Sequence, residues 1–179
     1  MQPIIYDVAV SIDGFIAGPD GDISKFPEEN AVIDDYYARL NSYGCAIMGR
    51  ATYELGYRFG LKPGDNPYPG LETYIFSATI ELPADNEVTV VRSAANDLLK
   101  ELRRVQSAPI YLCGGGAFAG SLLANGAIDM LRLKRAPIIL GGGIELFGGE
   151  RAAPDITLTD SKHYANGHLF QQFEMSNRA

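Results

Sequence analysis

The amino-acid sequence predicts an α/β protein: a mostly parallel sheet of about eight strands, about four flanking helices and an antiparallel C-terminal hairpin. Three observations predict it. Short apolar runs of strand type alternate with segments whose apolar residues recur at helical spacing, from Ile4 through Leu133. Two of those runs stop abruptly at glycine just ahead of a helix, in Met48-Gly49-Arg50 and in Cys113-Gly114-Gly115-Gly116. The last two runs, Ile156 to Tyr164 and His168 to Glu174, are joined through Asn166-Gly167, a dipeptide that marks a tight hairpin.

The 179 residues suffice for one domain, residues 1–179, with a full core and no need of metal or disulfide support. A net charge of −7 and a pI near 4.8 argue against a surface built for nucleic acid or anionic membrane, and leave room for a local basic pocket that holds a small anion. Cys45 and Cys113 both fall inside apolar runs and read as buried thiols. No apolar run approaches the roughly 20 residues of a membrane span, and the N-terminus has no signal-peptide pattern, so a cytoplasmic setting is expected.

Ile4 to Ser11 reads as a buried first strand that ends in the Asp13-Gly14 turn. Phe15-Ile16-Ala17-Gly18 leads into Pro19-Asp20-Gly21-Asp22, whose spacing lacks the further oxygens and the final Glu of a calcium loop and reads as a mobile loop over a site. From Asn30 to Ser42, Val32, Ile33, Tyr36, Tyr37 and Leu40 share one helical stripe. Asp34 and Asp35 border that stripe; Asp35 has Arg39 four residues on, the spacing of a surface ion pair, which leaves Asp34 the freer acid.

The strand Cys45 to Met48 delivers Gly49, Arg50, Ala51 and Thr52 to a helix start. An Arg there can fork onto a phosphate and Thr52 offers a hydroxyl, or else Thr52 is a helix cap and Arg50 a surface residue. Gly60 to Gly70, with Pro63, Pro67 and Pro69, is a long loop. Strands at Thr73 to Ser77 and Glu87 to Val91 bring Ser77, Arg92 and Ser93 to strand ends. Asp97 to Val105 is a helix with Leu98, Leu99 and Leu102 inward and Lys100, Arg103 and Arg104 on a solvated face.

Ile110 to Gly120 then reads as strand, glycine turn and helix N-terminus, a place suited to phosphate or simply a turn that requires glycine. Ile128 to Leu133 is a strand, and Pro137 to Leu140 runs into a second triple glycine, Gly141 to Gly143. His163 and His168 flank the hairpin and read as strand residues. In an open sheet of this kind ligands sit at the carboxyl ends of the strands, where Gly49/Arg50, Ser77, Arg92/Ser93 and Gly114 to Gly116 would converge. A Rossmann site fits less well. Gly114-x-Gly116-x-x-Ala119 matches its glycine pattern, but an acidic residue is expected about 20 positions later, and the strand there ends in Lys134-Arg135.

Four stretches carry a resemblance: Ser11-Ile12-Asp13-Gly14-Phe15-Ile16-Ala17, Met48-Gly49-Arg50-Ala51-Thr52-Tyr53-Glu54, Cys113-Gly114-Gly115-Gly116, and Pro137 to Phe147. In that order they resemble the dihydrofolate reductase-like fold. The likeness is to the reductase domain of the bifunctional riboflavin-biosynthesis deaminase-reductase and its stand-alone relatives.

The resemblance implies an NADPH-dependent reductase acting on a C=N or C=O of a small heterocyclic, pteridine- or pyrimidine-like, or sugar-derived substrate. It places Arg50 at the adenosine 2′-phosphate, Thr52 and Ala51 with Gly49 at the pyrophosphate, and Ser77 at the adenosine end. Gly114, Gly115, Gly116, Ala117 and Phe118 would lie along the pyrophosphate and nicotinamide, flanked by Ala9 and Ile16. The family's catalytic carboxylate falls on Ile33, so Asp34, turned by about 100°, is the candidate for proton relay. Asp13 is a candidate for holding substrate or loop, or a plain turn residue. The zinc set of a nucleoside-type deaminase is missing from the sequence. A homodimer is expected because relatives pair, and a non-catalytic nucleotide-binding or assembly protein is the alternative function.

Overall fold

The structure, a computed structural model, describes residues 1–176. The central strand is β1 (Ile4–Val10), which pairs in parallel with β6 (Ile110–Gly114) on one side and β7 (Met130–Arg135) on the other. Beyond β6 lie β3 (Cys45–Gly49), β4 (Glu72–Phe76) and β5 (Thr89–Val91), all parallel. Beyond β7 lie β10 (Leu169–Ser176) and then β9 (Asp155–His163), paired antiparallel as the hairpin motif predicts. The eight-stranded order is β5-β4-β3-β6-β1-β7-β10-β9. A second sheet pairs β2 (Phe15–Ala17) with β8 (Ile144–Glu145), neither of which reads as a strand from sequence.

Alternation along the strands divides the core into two faces. Ile4 and Tyr6, Cys45 and Ile47, and Ile110 and Leu112 pack on one face against Leu99 and Leu102 of α3 (Ala95–Val105) and Ala119, Leu122 and Leu123 of α4 (Gly116–Ala124). On the other face Ile5, Ala46 and Tyr111 meet Tyr36 and Leu40 of α1 (Ala31–Leu40), together with Tyr43 and Tyr68. The helix α1 starts where it does because the Asn30 side chain accepts hydrogen bonds from the Val32 and Ile33 amides.

The long loop is ordered from within. Tyr53 of α2 (Arg50–Leu55) accepts from Gly64 N–H and donates to the Asp65 carbonyl. Asn66 donates to the Leu71 carbonyl and accepts from Tyr68 N–H and the Thr73 hydroxyl. These bonds hold Tyr68 against the sheet.

Several local expectations change. Tyr37 is 60% exposed, because its neighbour Tyr36 takes the place over Tyr111. Asp35 accepts from Lys162 Nζ at 2.5 Å and Tyr164 OH at 2.6 Å, and Arg39 turns inward to Asp7, so the local i,i+4 pair is displaced by two tertiary ones. Arg103 leaves the solvated face to bind Asp129 and the Ala127 carbonyl. Thr52 lies inside α2, whose N-cap is Gly49, so it is no cap. His168 sits buried in the hairpin turn rather than in a strand.

Candidate active site

The carboxyl ends of β1, β3 and β6 open into one crevice of about 1140 Å³. Its floor is the turn from β6 into α4. Gly114 has φ +135°, a conformation closed to residues with a Cβ, and a Cβ on Gly116 would lie 2.2 Å from the Glu145 carbonyl oxygen. Glycine is therefore demanded twice over: by the backbone turn, and by the β8 segment packing onto the start of α4.

Every cofactor-binding candidate except Ser77 lines this crevice: Ala9 and Ile16 at one end, Gly49, Arg50, Ala51 and Thr52 on one wall, and Gly114, Gly115, Gly116, Ala117 and Phe118 along the floor. Of the strand-end residues expected to converge, Gly49 and Arg50 after β3 and Gly114 to Gly116 after β6 meet here. At the ends of β4 and β5 the polar groups are spent locally. Ser77 Oγ accepts from the Thr79 and Ile80 amides, and Arg92 donates to the Ala78 and Ile80 carbonyls, so both brace the turn after β4. Ser93 is likewise outside the crevice lining.

Arg50 is held at the rim by Glu54, 2.8 Å from its Nε, and by the Thr79 hydroxyl, 2.8 Å from Nη1. Half of its side chain remains exposed, and the guanidinium keeps donors free for an anion. Arg58 donates to the Asp20 carbonyl, which ties the C-terminal side of α2 to the loop of Asp20 and Gly21 in the crevice wall.

Neither catalytic candidate lines the crevice. Asp34 is exposed on the outer side of α1. Asp13 accepts from the Leu140 and Gly141 amides at 3.1 and 2.8 Å, and so pins the loop that precedes β8. A hydrogen bond with the Ser11 side chain, followed by those two amides, holds its carboxyl at about 2.

The chain matches the RibD C-terminal domain family over residues 2–170. It belongs to that family. Among curated proteins it is 29% identical over 147 residues to the uncharacterized protein YwjB of Bacillus subtilis, covering 82% of each chain. Among solved structures it superposes on a Shewanella sp. PV-4 protein described as a riboflavin biosynthesis protein with a TM-score of 0.81 at 24% identity, covering 99% of this chain and 100% of that one. It superposes on the dihydrofolate reductase of Enterococcus faecalis complexed with NADP(H) with a TM-score of 0.67 at 16% identity, over 98% of this chain and 97% of that one. The RibD C-terminal domain family and the dihydrofolate reductase-like fold are those that the four sequence stretches indicate.

Sequence reasoning missed one group of residues. Asp7, on the α1 face of β1, is 1% exposed and meets Lys134, Arg39 and Tyr43. A signal was present, since a charged residue in the middle of a strand otherwise apolar on both faces must find partners. Its partners come from α1, β7 and the turn after α1, at sequence distances that no local pattern spans.

Proposed function

We propose that this member of the RibD C-terminal domain family is an NADPH-dependent reductase of a small pteridine- or pyrimidine-like heterocycle or a sugar-derived compound, acting on a C=N or C=O bond. The observation that carries this reading is the crevice itself. The Gly114–Gly116 turn and the α4 start line it, Arg50 stands among its lining residues, and its volume of about 1140 Å³ exceeds the roughly 300–1,000 Å³ usual for small-molecule pockets, which suits a dinucleotide plus substrate.

When bound, NADPH would supply the hydride. The chain's own residues would do the rest. Arg50, with Thr79 beside it, would hold the 2′-phosphate, for which a planar fork of donors is suited. The amides of Gly115 and Gly116 with the Thr52 hydroxyl would take the pyrophosphate. Thr52 Oγ1 stands 2.8 Å from the point a Gly115 Cβ would occupy, so any side chain there would fill the cradle. Ala9 and Ile16 would form a small apolar end that excludes water from the reacting carbon.

The competing reading is a non-catalytic nucleotide-binding or assembly protein, and the exposure of Asp34 away from the crevice favours it. A thermal-shift titration with NADPH, NADH and FMN, followed by turnover with pteridine, pyrimidine and quinone substrates, separates the two. Selective stabilisation by NADPH with turnover supports the reductase. The same stabilisation without turnover supports the binding protein, and stabilisation by none of the three removes both readings.

A further inference from the structure

The sheet face under α1 carries a polar cluster to which the crevice residues give no task. At its base the Asp7 carboxylate accepts from Lys134 Nζ at 2.5 Å, Arg39 Nε at 3.1 Å and Tyr43 OH at 3.1 Å; Tyr43 in turn accepts from Arg132 at 3.0 Å. Packing does not call for such a pair, since apolar residues of similar volume usually serve stability equally well. Above it the Lys134 ammonium stands 4.1 Å from the centre of the Tyr36 ring, and the Tyr36 and Tyr111 hydroxyls are 2.7 Å apart. The Tyr68 ring meets that of Tyr111 edge-on, and its hydroxyl is 2.8 Å from Cys113 Sγ. Cys113 is itself part of the crevice wall, next to Gly114. A continuous set of proton-bearing groups therefore leads from a buried charge pair to one hydrogen bond short of the crevice.

We propose that Tyr68 supplies the proton of the reduction through the Cys113 thiol at the crevice wall, with Lys134, Tyr36 and Tyr111 positioning the pair and offsetting the charge left behind. The proposal rests on the reductase reading above. As the substrate carbon receives hydride, the π pair of the C=N or C=O bond moves onto the nitrogen or oxygen. The Cys113 S–H bond breaks and its proton goes to that atom, and the Tyr68 O–H bond breaks as its proton passes to the thiolate and restores the thiol. The phenolate left behind accepts a hydrogen bond from the Cys113 thiol, the Lys134 ammonium offsets its charge, and a proton from solvent restores the hydroxyl.

Burial pushes Tyr68, Tyr111 and the Cys113 thiol above their ordinary values, so the cluster is fully protonated at neutral pH. An amide-like nitrogen that gains an electron pair is a stronger base than phenolate, so the transfer runs downhill even from a raised hydroxyl. The charged groups packed round the cluster are Asp7, Arg39, Lys134 and Arg132, three cations to one acid, and their net field offsets part of the cost that burial puts on the anion.

Cys113 reports on the cluster without any substrate. Cys45 is sealed in the core with its thiol pushed up to about 12, so alkylation by iodoacetamide reads Cys113 alone. The pH dependence of alkylation, NADPH stabilisation and turnover of the pteridine, pyrimidine and quinone panel are measured for the parent, Tyr68→Phe, and the Asp7→Asn/Lys134→Met pair. The pair removes the two fully buried charges together and leaves Arg39, one-fifth exposed, to solvent and the Phe170 ring. Both variants are expected to keep NADPH stabilisation and to move the alkylation midpoint upward, the pair by less than Tyr68→Phe because losing Asp7 offsets part of the loss of Lys134. Tyr68→Phe is expected to lower kcat about a hundredfold with KM for NADPH unchanged. Unchanged midpoints overturn the proposal whether or not a substrate turns over, and so does wild-type turnover by Tyr68→Phe. Failure of NADPH to stabilise the parent overturns the reductase reading instead.

Discussion

Lys134 and Asp7 stand on neighbouring parallel strands, offset by two positions of register, and their side chains meet on the face of the sheet that α1 covers. Asp7 pairs in register with Arg132, and Ala9 with Lys134, so the ion pair is a diagonal that only the β1–β7 register creates. Burial raises Asp7, but the charges of Lys134 and Arg39 outweigh it and hold the carboxyl below its ordinary value. For Lys134 burial pulls downward and Asp7 opposes it.

Removing either partner alone strands a buried charge. Asp7→Asn or Lys134→Met is expected to cost about 3–5 kcal/mol, and the double variant clearly less than the sum, in urea unfolding analysed as a double-mutant cycle. With Asp7 lower in the folded than the unfolded chain, its contribution is complete above the unfolded value of 3.8 and fades as pH falls through the folded one. The Asp7→Asn variant should lose that acid-side slope.

Arg50→Ala should weaken NADPH about ten- to a hundredfold, the range of one charge-assisted contact, and leave NADH nearly unchanged. Isothermal titration with both nucleotides measures the gap. Arg50→Lys should recover little, since a single ammonium cannot reproduce the fork. Equal losses for the two nucleotides would place Arg50 away from the 2′-phosphate.

Asp34→Asn should leave turnover within about twofold and stability within about 0.5 kcal/mol, because an exposed side chain outside the crevice has little to lose. Steady-state kinetics alongside Tyr68→Phe checks it. A hundredfold loss at Asp34 would return the relay to α1.

Asp13→Ala should free the loop ahead of β8, whose Gly143 lines the crevice. The amides of Leu140 and Gly141 lose their acceptors, so their hydrogen exchange should quicken while that of β1 stays slow. In the parent this tether persists until the pH approaches about 2.

His168 is 8% exposed, and both ring nitrogens lack a hydrogen-bond partner among the described residues. Burial, partly opposed by the hydrogen bond with Asn166, lowers it below 6.5, so the unfolded chain takes up the proton first. Stability should therefore rise with pH through the interval just below 6.5 and level off above it. His168→Phe should flatten that part of a Tm-against-pH curve; an unaltered slope would assign it to another group.

The layout of the crevice was legible early because its requirements are local. Gly49, Gly114 and Gly116 follow apolar runs directly, and a chain that must turn sharply and let another segment pack closely shows it in adjacent residues. The hairpin was legible for the same reason, through Asn166-Gly167. Ser77 and Arg92 were misplaced because a strand end does not reveal whether a side chain reaches a ligand or caps its own turn, and here both cap the turn after β4.

By itself the sequence determined the succession of apolar strand segments, the glycine turns and the C-terminal hairpin, all of which depend on residues near one another in the chain. Only the tertiary structure decided the partners of the charges. Asp7 with Lys134, Asp35 with Lys162, Arg103 with Asp129 and Tyr68 with Cys113 join residues that are distant in sequence. The physical reason is that burial makes an unpaired polar group costly, and the partner that relieves the cost is whichever group the sheet register brings within reach.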